Sequence, residues 1–237
     1  KLQRVVLAQG GKYYGVHLGQ HKTPSVETDP RHLPPNFYYD QQDALVRLQR
    51  GKKWSYSLVR PEVVVGFAQG IPLNGAAIVA VYATLCREMG VPLHFPGPES
   101  SFNAFNKYSN ADLLGRSMLW MATEPKCANE AFNVTNDSIL RWCNIWHKIA
   151  DYFGCQKGVV MPMSLTNFMA DKEPVWQKIM RKHKLTADLF SGTSWEFADW
   201  NFNRTWDTVL EDVKRIQFGF HEVKDSWEDF NDAFDKM

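Results

Sequence analysis

Apolar residues recur along this chain with two different periods, and the alternation between them predicts an α/β fold. Short β-branched or aromatic runs read as strands: Arg4–Ala8, closed by Gln9-Gly10-Gly11, then residues 54–59, Leu93–Phe95 and residues 131–134, with a brief apolar run at 63–67. Between them the spacing turns helical. The stretch 40–50 is helical, with Asn36 as its N-cap and Gly51 at its end. Residues 74–90 form an apolar helix stopped by Gly90 and Pro92. Ala111–Thr123 follows, then 140–153 with Trp142, Ile145, Trp146 and Ile149 on one side. Further helices are expected over 168–182, with a break at Pro174, over 208–216 and over 226–234. Residues 15–35 read as loop, and 191–206 as an irregular aromatic segment. Strands and helices alternate without hairpin signals, which argues for a parallel sheet.

Composition supports a folded domain and removes several functions. Apolar residues make up 44% and charged residues 22%, enough for a core across 237 residues. A net charge of +1 leaves no footprint for nucleic acid or an anionic membrane surface. No apolar run reaches the roughly 18 residues of a membrane span. The four cysteines, Cys86, Cys127, Cys143 and Cys155, are scattered with no Cys-x-x-Cys pair, so neither a disulfide framework nor a zinc site is expected. A reduced, cytoplasmic setting follows as the expectation, and the three Asn-x-Ser/Thr sequons are expected to be chance matches.

Candidate chemistry begins where the first strand ends. In open α/β sheets ligands bind at the carboxyl ends of the strands, and Lys12 follows Gly10-Gly11 at such an end. Tyr38 and Tyr39 open the next helix. A phenol has a pKa of about 10. A neighbouring ammonium makes it a better donor, able to hold a carbonyl oxygen as negative charge develops there. The common Tyr-x-x-x-Lys spacing is absent, because Gln42 and Asp43 stand four residues after Tyr38 and Tyr39. If a Tyr–Lys pair exists, Lys12 supplies the lysine. A packing tyrosine and a solvated loop lysine remain the plain alternatives. His17 and His21 have no carboxylate partner in the pattern, and Cys143 with His147 sits on a tryptophan-rich helix expected to be core, so no metal site is expected at either. The Gly-x-Ser-x-Gly elbow, the phosphate loop and Gly-x-Gly-x-x-Gly are all missing. The aromatic segment 191–206 is expected either to cap a pocket or to form a satellite core.

An ordered set of short motifs then points to a family. Gly11-Lys12-Tyr13-Tyr14-Gly15, Leu33-Pro34-Pro35-Asn36-Phe37-Tyr38-Tyr39, Trp54-Ser55, Arg60-Pro61, Gly66-Phe67, Val81-Tyr82-Ala83, Cys86-Arg87-Glu88, Phe95-Pro96-Gly97, Asn129 to Val134 and Lys172 to Trp176 follow one another through nearly the whole chain. In this the chain resembles the progesterone 5β-reductase/iridoid synthase-like family, atypical extended short-chain dehydrogenases/reductases with a Rossmann-type fold. The resemblance implies NADPH-dependent reduction of activated carbon–carbon double bonds in small enones. It makes Tyr38 the catalytic tyrosine and Lys12 the catalytic lysine, both also touching cofactor. Pro61 and Val64 fall at the nicotinamide, and His17 and Phe197 at the substrate. Two departures bear on the substrate: Gly15-Val16-His17 stands where the family usually has Gly-Pro-Phe, and Val59-Arg60-Pro61-Glu62 where it usually has His-Arg-Pro-Gly.

With no initiator methionine and no glycine-rich loop, the chain is expected to be the C-terminal part of the fold, slightly clipped at its own end. Residues 1–75 would be the remainder of the dinucleotide-binding domain and 76–237 a helix-rich substrate domain. A homodimer stays open as the assembly, which the sequence does not fix. Two other functions stay open: a catalytically silent fragment that binds a small molecule or partner, and a carbonyl reductase or epimerase of the same superfamily.

Overall fold

The computed structural model describes residues 1–68 and 70–237. In chain order the elements are β1 (Arg4–Ala8), a 3-10 turn (Gly11–Tyr14), α1 (Phe37–Gln49), β2 (Ser55–Arg60), β3 (Val64–Val65), α2 (Gly75–Met89), β4 (Leu93–Phe95), α3 (Glu99–Asn103), β5 (Ser109–Asn110), α4 (Ala111–Thr123), a second 3-10 turn (Pro125–Cys127), β6 (Glu130–Asn133), α5 (Trp142–Phe153), β7 (Lys157–Val160), α6 (Leu165–Met169), α7 (Glu173–His183), α8 (Trp195–Phe202), α9 (Val213–Gln217) and α10 (Ser226–Asp235). Among the described residues no helix is long and apolar enough to cross a membrane. Two compact units emerge, each assembled from three chain segments: residues 1–64, 106–139 and 207–226 in one, residues 65–105, 140–206 and 227–237 in the other.

The first unit is a Rossmann-like sheet. Its strands run β1-β2-β6, all parallel, with Arg4 opposite Ser55 and Ser57 opposite Glu130. Parallel neighbours need a crossover, and α1 supplies the one between β1 and β2. Under the sheet Val59, Met121, Cys127, Phe132 and Val134 are buried together, with Val6, Leu114, Met118, Trp120 and Phe218 packed around them. These are the apolar positions of α4 meeting the alternate positions of the strands, as a sheet-on-helix layer requires. Ser57, inside β2, donates its hydroxyl to the Cys127 carbonyl at 2.7 Å and so leaves no stray polar group in that layer.

The second unit is mostly helical. The helix α2 is buried at nearly every position from Gly75 to Cys86, the signature of a central helix rather than a surface one. Asn74 caps its start by accepting from the Ala76 and Ala77 amides, and Gly90 ends it in the left-handed region. A second parallel pair, β4 with β7, lies in the same unit. Phe95 meets Trp146 edge-on at 5.2 Å and Phe202 at 5.5 Å, while Trp142 packs on Phe202 at 5.3 Å and Phe230 at 5.8 Å. The indole of Trp146 donates to the Leu93 carbonyl at 3.0 Å, so the aromatic core also pins β4.

Several sequence expectations change. The segment 191–206 is not irregular: Ser194 caps a helix over Trp195–Phe202. The stretch 168–182 is broken just before Pro174, between α6 and α7, and Pro174 stands in the first turn of α7 where its missing N–H is no loss. The last turn-rich segment forms a helix only over Val213–Gln217, shorter than 208–216 implies. Strand β7 escapes the pattern because it is short, half-exposed and carries Gly158. On α5, Cys143 is half-buried and His147 exposed, off the buried tryptophan side. Truncating Phe132 to alanine should cost about 3–5 kcal/mol, read as a lower denaturant midpoint of the full-length protein.

Candidate active site

The candidate site grows from the carboxyl ends of β1 and β2, inside the first unit. Arg60, the last residue of β2, is 2% exposed. Its Nε donates to Gln9 Oε1 at 2.9 Å and its Nη1 to the Tyr14 hydroxyl at 3.0 Å, while the guanidinium lies 3.5 Å from the Tyr13 ring centroid. Tyr14 in turn donates to Asn133 Oδ1 at 2.7 Å, at the end of β6. Burial pushes the Tyr14 phenol above its ordinary range, with the Arg60 charge opposing. Nearby, Glu27 accepts from the Asn133 amide at 2.7 Å, and its carboxyl is pushed up by burial against the pull of Lys214 and Arg60.

From this frame Gln9 reaches the helix that carries Tyr38. Its amide donates to the Tyr38 carbonyl at 3.2 Å and to Gln42 Oε1 at 3.1 Å. Gln42, standing where the common spacing would put a lysine, therefore anchors the helix to the strand end. Asn36 makes the second tie. Its Oδ1 accepts from the Tyr38 amide at 3.0 Å as N-cap, and its Nδ2 donates to the Lys12 carbonyl at 2.7 Å. One buried side chain thus holds the backbones of both sequence-predicted catalytic residues.

The Tyr38 hydroxyl lies over bare backbone. A Cβ on Gly10 would stand 3.1 Å from it and 3.4 Å from the Pro61 carbonyl oxygen, and a Cβ on Gly11 would overlap the Glu62 carboxylate. The two glycines leave room for both side chains. The Gly11 amide donates to the Pro61 carbonyl at 3.0 Å, closing the strand ends together. Among the described residues no hydrogen bond engages the Tyr38 hydroxyl. Its phenol is pushed up from the usual range, first by burial and then by the Glu62 carboxylate. This departs from the expectation that an ammonium would lower it. Lys12 is solvent-exposed, with no ion pair or hydrogen bond on its ammonium among the described residues, and its charge falls instead on His17.

The other sequence-predicted residues separate. Pro61 belongs to the Tyr38 neighbourhood through its carbonyl. Val64 lies beyond it in β3, half-buried. His17 follows the Lys12 turn, half-buried. Phe197 is in the second unit on α8, stacked on Trp200 at 5.6 Å. Sequence reading did not single out Glu62, Gln9, Gln42 or His32 as parts of the site. Glu62 alone left a trace, as a carboxylate in place of a usual glycine. The free phenol and free ammonium fit the nicotinamide-ribose end of a dinucleotide. For its pyrophosphate residues 1–237 contain no Gly-x-Gly-x-x-Gly loop.

Two outcomes are expected. Asn36→Ala should destabilise the protein by about 1–2 kcal/mol, measured by chemical denaturation. Replacing Glu62 by glutamine should move the Tyr38 ionisation down, while burial still holds it above 10; tyrosine ¹³Cζ NMR, with Tyr38→Phe for assignment, reads the shift.

Comparisons with known proteins agree with this fold. The model of the PRISE-like Rossmann-fold domain matches residues 1–237. A short chain dehydrogenase of Penicillium aethiopicum, gsfE, is 35% identical over all of this chain and 68% of its own length. An (S)-8-oxocitronellyl enol synthase of Catharanthus roseus is 32% identical over all of this chain and 63% of its own. Among solved structures, the UDP-glucose 4-epimerase of Thermotoga maritima matches with a TM-score of 0.63 at 18% identity, covering 98% of this chain and 62% of that one. RMD of Pseudomonas aeruginosa, solved with NADPH, matches with 0.64 at 11% identity, covering 98% and 65%. The chain spans roughly two thirds of the length of these proteins. With its full length matched and its parallel sheet in place, the chain belongs to the PRISE-like Rossmann-fold family.

Proposed function

We propose that the intact protein is an NADPH-dependent reductase of activated carbon–carbon double bonds, acting on small enones. The observation that carries this is the Tyr38 hydroxyl, protonated and unengaged over Gly10, in a chain similar along its whole length to an (S)-8-oxocitronellyl enol synthase.

Bound NADPH would supply a hydride to the β-carbon of the enone. Tyr38 would donate its hydrogen bond to the carbonyl oxygen as charge develops there, and the enolate would take a proton at its α-carbon from water to give the saturated ketone. A donor aimed at developing charge lowers the barrier because it is already oriented. The phenol must keep its proton to act as that donor. Burial and the Glu62 carboxylate both favour the neutral phenol, so at pH 7 it is a donor and not a base. Lys12 offers the free cation beside the turn, for the ribose hydroxyls and the field at the site. Pro61 and Val64 would line the nicotinamide, and His17 the substrate. Asn36 and Gln9 hold the Tyr38 backbone and so fix where the hydroxyl points.

Expressing the complete gene and following NADPH oxidation with cyclohexenone tests this. Tyr38→Phe should lower kcat/KM by about 10²–10³-fold; equal turnover would overturn the role. The product must be the saturated ketone. An allylic alcohol with its double bond intact would instead assign carbonyl reduction.

A further inference from the structure

Beside the Lys12 turn lie two imidazoles, His17 and His32, that take no part in the hydride and hydrogen-bond chemistry above. Gly15 ends the turn in the left-handed region, at φ 92°, and its amide donates to the Lys12 carbonyl at 3.2 Å. The His32 ring lies on this glycine: a Cβ there would fall 2.6 Å from its Cγ and 2.9 Å from its Nδ1. Any side chain at Gly15 would displace the ring. The His32 backbone is fixed as well. Its amide donates to the Tyr39 hydroxyl at 2.7 Å, and that hydroxyl donates to the Tyr13 carbonyl at 2.6 Å. His32 is thus held by the residue next to Tyr38 on the same helix turn.

His17, two residues beyond Gly15, joins it. The Nδ1 atoms of His17 and His32 are both buried, and neither has a hydrogen-bond partner. The His17 imidazole is pushed down from its ordinary range by burial, then by the Lys12 ammonium, then by His32. The lowered pKa favours the neutral imidazole at His17. Buried ring nitrogens are normally paired, and two orphans in one cluster ask for a ligand that satisfies both. Among the described residues no third His, Cys, Asp or Glu completes a metal-binding group. Two imidazoles suit a hydroxyl, since a ring nitrogen can accept its proton and a ring N–H can donate to its oxygen.

We propose that His17 and His32 clamp a hydroxyl group of the substrate, so that the protein selects hydroxylated enones over plain ones. The enone, and the placing of His17 at the substrate, rest on the proposed function; the preference for a hydroxyl rests on the two unpartnered ring nitrogens. An apolar ring at position 17 would supply neither donor nor acceptor, and would leave His32 without its counterpart.

The test uses the full-length protein and cyclohexenone beside its 4-, 5- and 6-hydroxy derivatives. Dissociation constants come from NMR titration, and kcat/KM from NADPH oxidation. At least one hydroxy compound should bind about tenfold or more tightly than cyclohexenone. That ratio should fall toward one in His17→Phe and in His32→Phe and survive in part in His17→Asn, with circular dichroism confirming each variant's fold. Equal affinity for all four compounds means the imidazoles hold only solvent, and overturns the proposal. So does a ratio unchanged in both phenylalanine variants. A ratio that collapses as expected, with no NADPH oxidation by any compound, supports the clamp and removes the reductase assignment. Turnover of every compound with no hydroxyl preference removes the clamp and keeps the reductase.

Discussion

The buried guanidinium of Arg60 is the interaction on which the first unit depends. It stands at the end of β2 with almost no solvent, so its charge must be met by the protein. Gln9 Oε1, the Tyr14 hydroxyl, the Glu27 carbonyl and the Tyr13 ring meet it. They come from three successive parts of the chain, so satisfying one cation orders the end of β1, the 3-10 turn and the loop after it. A lysine could not repeat this, since an ammonium lacks the flat fork that bonds two partners while stacking on a ring. Gln9 passes the constraint on to Tyr38 through its second hydrogen-bonding end. The position of the Tyr38 backbone is in this sense set two hydrogen bonds away from a buried charge.

Electrostatics around that phenol divide between two groups. Glu62 acts on Tyr38 and favours its neutral form, while Lys12 faces His17 and disfavours its protonation. A carboxylate beside a phenol keeps the proton in place for donation, whereas an ammonium there would draw it off. The separation follows from backbone placement. Lys12 sits on a 3-10 turn whose carbonyl is claimed by Asn36, which leaves the ammonium in solvent, and Glu62 follows Pro61 into the space over Gly11. The same turn seats the His32 ring, because Gly15 carries no side chain to displace it.

Most of the regular structure was legible from periodicity. Strand β1 and helix α4 fall at the expected residues, and α2 begins after Asn74 and ends at Gly90 because those two residues cap it. Legibility failed where local signals conflicted. Aromatic crowding over 191–206 hid a helix, since aromatic side chains lose rotamer freedom in helices and weaken the pattern. Strand β7 is a strand only because β4 pairs with it. At the site, Asn36 and the bare Gly10-Gly11 stood out in the sequence by their own chemistry, whereas Tyr38 was told from Tyr39 by the family resemblance. His32 and Glu62 did not, because nothing local distinguishes a histidine that will rest on a glycine or a glutamate that will face a phenol.

The sequence by itself determined the α/β class, the helix caps, the parallel order of strand and helix, and the residue types available for chemistry. Those properties depend on neighbours within a few positions, where backbone geometry fixes who can interact. Tertiary structure alone decided which groups meet. Gln9 reaches Tyr38 across 29 positions, Tyr14 reaches Asn133 across 119, and Gly15 receives a ring from 17 residues away. Whether a phenol sees an ammonium or a carboxylate is a matter of a few ångströms between distant chain segments, and only packing sets that distance.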